Sequence, residues 1–345
     1  MENFFTPKPY DMHLHLRDED RLKAVAPITA EFFRGAVIMP NLTPPVCSVD
    51  DVIGYKARIM NTLGEGSSFN PLMTFKIMPE TTRRDIVRLA DGSVVAGKLY
   101  PKNLTTNAHD GIEDFFALHP VYSAMAENGI VLCIHGEMPG DDIEGMNRES
   151  AFLRTLKVIA KTHPSLKIVM EHITTEAAVD AVLDLDNVSA TITVHHLLLN
   201  HDDVGGDRMC PGHYCKPVAK MEKDRKALVW AATSGCPKFF FGSDSAPHPE
   251  EGKARLYDCC AGIFTAPVAL PLLAQIFECN NALDRLQPFV GQYGKVFYEI
   301  SENIAVNPGQ LLFEKKHWTV PEKVAGIPVF WAGQQIEWTV TQQAS

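Results

Sequence analysis

No uncharged apolar run in this chain approaches the roughly 18 residues that a membrane-spanning helix needs, so no such span is expected. The start, Met1-Glu-Asn-Phe-Phe, lacks the basic residues of a secretory leader. Basic stretches are missing as well. Lys and Arg number 32 against 42 Asp and Glu, a formal charge of -10, which excludes a phosphate-backbone partner. No glycine-rich phosphate fingerprint follows an early apolar run, so a nucleotide-binding fold has no positive support. Eight cysteines in 345 residues do not form a secreted disulfide pattern, and Cys210 and Cys215 lack the second pair of a structural zinc site. The chain also lacks low-complexity tracts. With 46% hydrophobic and 21% charged residues it reads as a globular protein, expected in the cytoplasm.

What is present is a repeat of strand-like and helix-like segments. The strand candidates are Asp11–Leu16, Gly35–Met39, Leu72–Ile77, Val94–Leu99, Ile130–His135, Lys167–His172, Val188–Val194 and Lys238–Gly242. Several are continuous apolar runs, as parallel strands buried on both faces require. Amphipathic segments stand between them: Val49–Leu63 behind a Ser48–Asp51 capping box, Thr81–Ala90, Glu149–Lys161, Thr174–Leu183, Asp224–Thr233 and Pro267–Glu278. This alternation predicts an α/β fold, a closed (β/α)8 TIM barrel that leaves no sheet edge, with an open doubly wound sheet as the alternative. The expectation is a single domain over 1–345, with the barrel at about 8–288. A short C-terminal extension, about 289–345, packs on it through Trp318, Trp331 and Trp338. Its runs Val296–Ile300, Gln310–Phe313 and Val329–Val340 read as strands or extended turns.

Polar residues gather where the strand candidates end. His13, His15 and Arg17 close the first, Asn41 the second, Lys98-Leu-Tyr-Pro101 the fourth and His135-Gly-Glu137 the fifth. Glu171-His172 closes the sixth, His195-His196 the seventh, and Ser243-Asp-Ser-Ala-Pro-His248 the eighth. Chemistry in a TIM barrel sits at that end of the strands. Imidazoles and a carboxylate suit zinc: His13, His15 and Asp244 for one ion, His135 and His172 for a second. The bridge between the ions is open at this point. Glu137 and Glu171 lie beside ligands, and Lys98 would serve only if CO2 converted its amine to a carbamate. His195, His196 and Lys102 receive no role.

Asp11-Met-His-Leu-His-Leu-Arg17, Met39-Pro-Asn41, Lys98-Leu-Tyr-Pro101, Glu171-His172 and Gly242-Ser-Asp-Ser-Ala-Pro-His248 resemble the short, stand-alone dihydroorotases of the amidohydrolase superfamily. The match runs in order from about residue 8 to Cys260-Ala-Gly262. It implies two zinc ions held by His13, His15, Asp244, His135 and His172, with Lys98 as a bridging N6-carboxylysine. It implies that Arg17, Asn41 and His248 recognise the substrate carboxylate, and that backbone groups near Lys216 and Ala261 hold a dihydropyrimidine ring. Thr105 and Thr106 would lie in a loop that closes over the substrate.

The reaction so implied interconverts N-carbamoyl-L-aspartate and L-dihydroorotate in pyrimidine biosynthesis, with Asp244 moving the proton and a homodimer as the working form. Another cyclic amidase, acting on hydantoin, dihydropyrimidine or allantoin, is the alternative enzyme. A barrel scaffold without activity is the non-enzyme alternative.

Overall fold

The computed structural model describes residues 3–92, 94–301 and 309–343; the remaining positions included in the single-domain reading of 1–345 lie outside the described residues. A first strand, β1 (Asn3–Pro7), precedes the barrel. The eight strands that follow are β2 (Tyr10–Leu14), β3 (Gly35–Ile38), β4 (Asn70–Lys76), β5 (Ala96–Leu99), β6 (Val131–His135), β7 (Ile168–Glu171), β8 (Val188–Ile192) and β9 (Phe239–Phe241). They form one sheet in sequence order, every neighbouring pair parallel. A parallel bridge between Leu14 and Ser245 joins its two ends, so the sheet closes.

Each strand is followed by a helix: α1 (Glu19–Phe32), α2 (Val49–Leu63), α3 (Arg83–Asp91), α4 (His119–Glu127), α5 (Arg148–Thr162), α6 (Glu176–Asp184), α7 (Glu222–Thr233) and α8 (Ala269–Cys279). Capping boxes start two of them, at Ser48 with Asp51 and at Thr82 with Asp85, each satisfying backbone N–H groups that the first turn leaves unpaired. The sequence reading lacked α1, which carries Pro27 in its interior, and the short α4.

The packing has two layers. Alternate strand residues such as Ile38, Phe75, Leu132, Ile134 and Phe241 meet the helices. The others point inward, and Val37, Met39, Leu72, Ala96, Val131, Cys133, Val169 and Phe240 fill the lower interior of the barrel. The floor is completed from the extension. Val296–Ile300, expected to be extended, instead contains the end of a short helix, Tyr293–Phe297, followed by a turn. The reason is tertiary: Phe297 and Tyr298 cover Phe240 at 5.7 and 6.3 Å, and the Tyr298 hydroxyl lies 3.1 Å from Cys133 Sγ. Apolar burial outweighs the strand preference of these aromatic and branched residues.

The rest of the extension forms β10 (Gln310–Thr319), the paired two-residue strands β11 (Lys323–Val324) and β12 (Ile327–Pro328), and β13 (Gln335–Gln342). The expected run Val329–Val340 is therefore interrupted, with Trp331 at a left-handed φ of 67° before β13 begins. β10 pairs with β1 on one side and β13 on the other, which ties the two ends of the chain together. Trp338 is wholly buried there, stacks edge-on to Phe4 at 5.5 Å, and donates from Nε1 to Glu278 of α8 at 2.9 Å. Trp338→Ala is expected to lower the unfolding free energy by about 3–5 kcal/mol in a denaturant titration. A loss below about 1 kcal/mol would mean that this sheet is not part of the cooperative core.

Candidate active site

The inward stripes continue past the apolar floor and turn polar at the C-terminal end of the strands. Val37 and Met39 lead to Asn41, Ala96 to Lys98 and Tyr100, and Val131 and Cys133 to His135 and Glu137. Val169 leads to Glu171, and Phe240 to Gly242 and Asp244. On β2 the alternation itself shifts. The register slips between Asp11 and Leu14, so the inward pair Tyr10 and Met12 gives way to His13 and His15. A bulge of this kind re-aims side chains at a site. Gly242 is required by close approach: a Cβ there would stand 2.9 Å from His13 Cβ and 2.8 Å from Thr191 Cγ2.

The stripes converge on a cavity lined by His13, His15, Arg17, Asn41, Tyr100, Thr105, Thr106, His135, His172, Lys216, Asp244 and Ala261, among others. Lys98 lies beneath, fully buried. Of the residues singled out by sequence, His248 stands just outside the lining. Its Nε2 accepts from Arg17 Nη2 at 3.0 Å, while Arg17 Nε donates to the Pro247 carbonyl at 3.3 Å. Burial, reinforced by the guanidinium, pushes the His248 imidazole down to about 3, so it stays a neutral acceptor. Arg17, His172 and Asp244 all sit at left-handed φ values of 61°, 41° and 42°, strained backbone for residues with a Cβ.

His13, His15 and Asp244 bring their ligand atoms within 4.8 Å of one another. His15 Nε2 and His13 Nε2 approach the same Asp244 oxygen at 3.1 and 3.4 Å. The His172 ring lies 5.0 Å from that of His13 and 4.9 Å from that of His135. Two of these histidines hydrogen-bond a protein oxygen through their other ring nitrogen, and His13 has a carboxylate close to its own. His13 Nδ1 faces Glu171 Oε2 at 2.8 Å, His15 Nδ1 faces Asn41 Oδ1 at 2.8 Å, and His135 Nε2 faces Glu137 Oε2 at 2.8 Å. Such partners set the tautomer and leave the opposite nitrogen as an acceptor, as metal-ligating histidines require. Glu137 and Glu171 are thus orienting groups. Their signal in the sequence was the period-two continuation of β6 and β7.

The electrostatics of His15, His135 and His172 agree with a cation-binding role, whereas at His13 burial is outweighed by the Glu171 and Asp244 carboxylates, which raise the imidazole. Burial depresses the imidazoles of His135 and His172, and that of His15 to about 4, keeping them in the neutral form that metals bind. Burial opposes ionisation of Asp244, but hydrogen bonds with His13 and His15 outweigh it and hold the carboxyl well below the usual range. Lys98 Nζ and His172 Nδ1 are buried without a hydrogen-bond partner. Burial lowers the Lys98 amine, with the Glu171 carboxylate pulling the other way. An unpaired buried ammonium is costly, so this site favours a neutral amine or a lysine carrying negative charge.

Tyr100 stands in the Lys98-Leu-Tyr-Pro101 motif, in which the sequence reading assigned the tyrosine no role. It lines the cavity with its hydroxyl buried and unpartnered. His195 and His196 lie together on a buried turn after β8, where His196 bonds Thr193 and the Pro217 carbonyl. Neither lines the cavity. Lys102 makes an exposed ion pair with Glu113 at 2.8 Å.

Residues 4–286 match the model of the amidohydrolase family. Over 99% of both chains the sequence is 46% identical to a dihydroorotase of Neisseria meningitidis serogroup C. Among solved structures, the dihydroorotase of Saccharomyces cerevisiae in complex with 5-fluoroorotic acid superposes with a TM-score of 0.94 at 36% identity, covering 100% of each chain. The dihydroorotase of Campylobacter jejuni does so with 0.89 at 39% identity, covering 98% of this chain and 97% of that one. The polar ends of the barrel strands and these full-length similarities lead to one assignment: the chain belongs to the amidohydrolase family, within its dihydroorotases.

Proposed function

We propose that this chain catalyses the reversible cyclisation of N-carbamoyl-L-aspartate to L-dihydroorotate with release of water, a hydrolase reaction at a cyclic amide C–N bond. The observation that carries the reading is the cavity itself, which joins a cluster of histidines and a carboxylate to the buried guanidinium of Arg17. Full-length similarity to dihydroorotases supports it.

The donor set fits two zinc ions. His13, His15 and Asp244 would hold one, His135 and His172 the other, and a carbamate on Lys98 would be shared. When bound, the ions supply Lewis acidity at the amide carbonyl and make a water acidic enough to attack it near neutral pH. Lys98 is prepared by its burial, which favours the neutral amine: that amine would form an N–C bond to CO2 and release one proton to solvent, so a neutral group becomes an anion among the histidines.

In ring opening, Asp244 takes the proton of the attacking water and delivers it to the ring nitrogen as the C–N bond breaks. In cyclisation it takes the proton from the carbamoyl nitrogen. Arg17 grips the substrate carboxylate in a bidentate manner, and neutral His248 accepts from Nη2 and holds the guanidinium in place. Asn41 links His15 to the Thr106 carbonyl, which it reaches through Nδ2 at 3.4 Å, and so joins the metal ligands to the loop. Thr105 and Thr106 exclude water above the substrate, while backbone groups at Lys216 and Ala261 face the ring. The same reading carries a homodimer working in the cytoplasm, without nucleic-acid or membrane partners.

An ultraviolet assay of dihydroorotate opening, run with metal analysis and with hydantoin as a control, tests the proposal. Opening that is lost on chelation and restored by zinc is expected, with hydantoin at least about a hundredfold slower. Hydantoin hydrolysed at a comparable rate would overturn the choice of substrate. Asp244→Asn is expected to cut kcat by about 10²–10⁴-fold, and near-normal turnover with a full metal complement would remove Asp244 from the proton path. Arg17→Met should cost about 2–5 kcal/mol of substrate binding, seen as a raised KM.

A further inference from the structure

β4 ends in a lysine that neither the metal cluster nor the carboxylate clamp uses. Lys76 continues the inward stripe of Leu72 and is 1% exposed. Its ammonium reaches upward, donating to the Asn107 carbonyl at 2.8 Å and pairing with the Asp110 carboxylate. Both partners belong to the loop that carries Thr105 and Thr106. The loop is closed at its neck by Lys102 N–H to the Ile112 carbonyl at 3.1 Å and Ile112 N–H to the Tyr100 carbonyl at 2.8 Å. Internally, Asn103 N–H donates to Ala108 at 2.8 Å. A second tie comes from the segment after β3, where Asn107 Nδ2 donates to the Asn41 carbonyl at 2.9 Å. Residues 103–111 contain no helix or strand of their own, and these ties hold them over the cavity.

We propose that Lys76 is a positioning residue that latches the 103–111 loop over the cavity and thereby sets where Thr105 and Thr106 meet the substrate. The energetic logic follows from burial. A lysine at the end of a barrel strand has few places to find counter-charge, and the loop supplies an anion and a carbonyl only in the seated position. Lifting the loop breaks the ion pair, so the seated population is coupled to a buried charge. For a substrate that binds the seated form, apparent affinity falls with the fraction seated while the chemical step is unchanged. The effect on substrate rests on the dihydroorotase reading; the effect on the loop does not.

The test compares Lys76→Met and Asp110→Asn with the wild-type holoenzyme by hydrogen exchange and by steady-state kinetics. Amides of Asn103, Gly111 and Ile112 should exchange at least about tenfold faster in Lys76→Met, while those of β4–β6 and the melting temperature stay unchanged. KM for dihydroorotate should rise about tenfold with kcat within about threefold. The double variant should be no worse than Lys76→Met alone, since both substitutions break one pair. Asp110, at the loop surface, keeps the test decisive if Lys76→Met does not fold. Exchange and KM within about twofold of wild type in the folded variants would overturn the latch. Exchange needs no substrate: faster loop exchange in a protein that opens no dihydroorotate would support the latch and overturn the proposed reaction alone.

Discussion

The seam where the last barrel strand meets the first is the constraint on which the site depends. Asp244 N–H donates to the His13 carbonyl at 2.8 Å, and His15 N–H donates to the Ser245 carbonyl at 3.0 Å. Those bonds close the barrel and remove its sheet edges. They also set His13, His15 and Asp244 side by side, though Asp244 lies near the far end of the barrel sequence. Asp11 reinforces the join, its Oδ1 accepting from Ser243 N–H at 2.8 Å and His13 N–H at 3.1 Å. Burial pushes that carboxyl up to about 7. A rigid backbone seam is a better support for ligands than two loops, because few torsions remain that could move them apart.

Around the seam the structure accepts local costs. Arg17, His172 and Asp244 hold left-handed backbone, and Lys98 and Lys76 place amines in the interior. The apolar floor of Val37, Leu72, Val131, Val169 and Phe240, closed by Phe297 and Tyr298, lies directly below. It offsets these costs and holds the strand ends in register. Strain at the functional end is tolerated because the opposite end over-determines the backbone.

The barrel strands were legible because parallel strands packed on both faces must be apolar throughout, and seven of the eight runs, all but Leu72–Ile77, led to a recognised polar ending. Elements outside that rule were not. α1 hides behind Pro27, and β1, mostly exposed and without an apolar run, shows as a strand only through its pairing with β10. Tyr293–Phe297 carries strand-favouring residues whose rings fill the barrel floor, so tertiary burial decided its conformation. In the site, metal-ligand types announced themselves by chemistry. Lys76 did not, and Tyr100, Glu137 and Glu171 stood in strand-end motifs without a settled role, since a lysine, tyrosine or glutamate near a strand end is ordinary until the inward stripe is known.

By itself, the order of residues determined the alternation of strands and helices, the end of the barrel that carries chemistry, and the side chains able to bind cations. Those properties are local, set by periodicity and by the donor atoms of each residue. Tertiary structure alone decided the slip on β2 that turns His13 and His15 inward, the carboxylates that fix the tautomers of His13 and His135, and the ties of Lys76 and Asn41 to the loop above. The contacts of His13 with Glu171 and of Lys76 and Asn41 with the loop join segments distant in sequence, which only the folded barrel brings within range; Glu137 is two residues from His135, and there the inward stripe of the strand decides the contact.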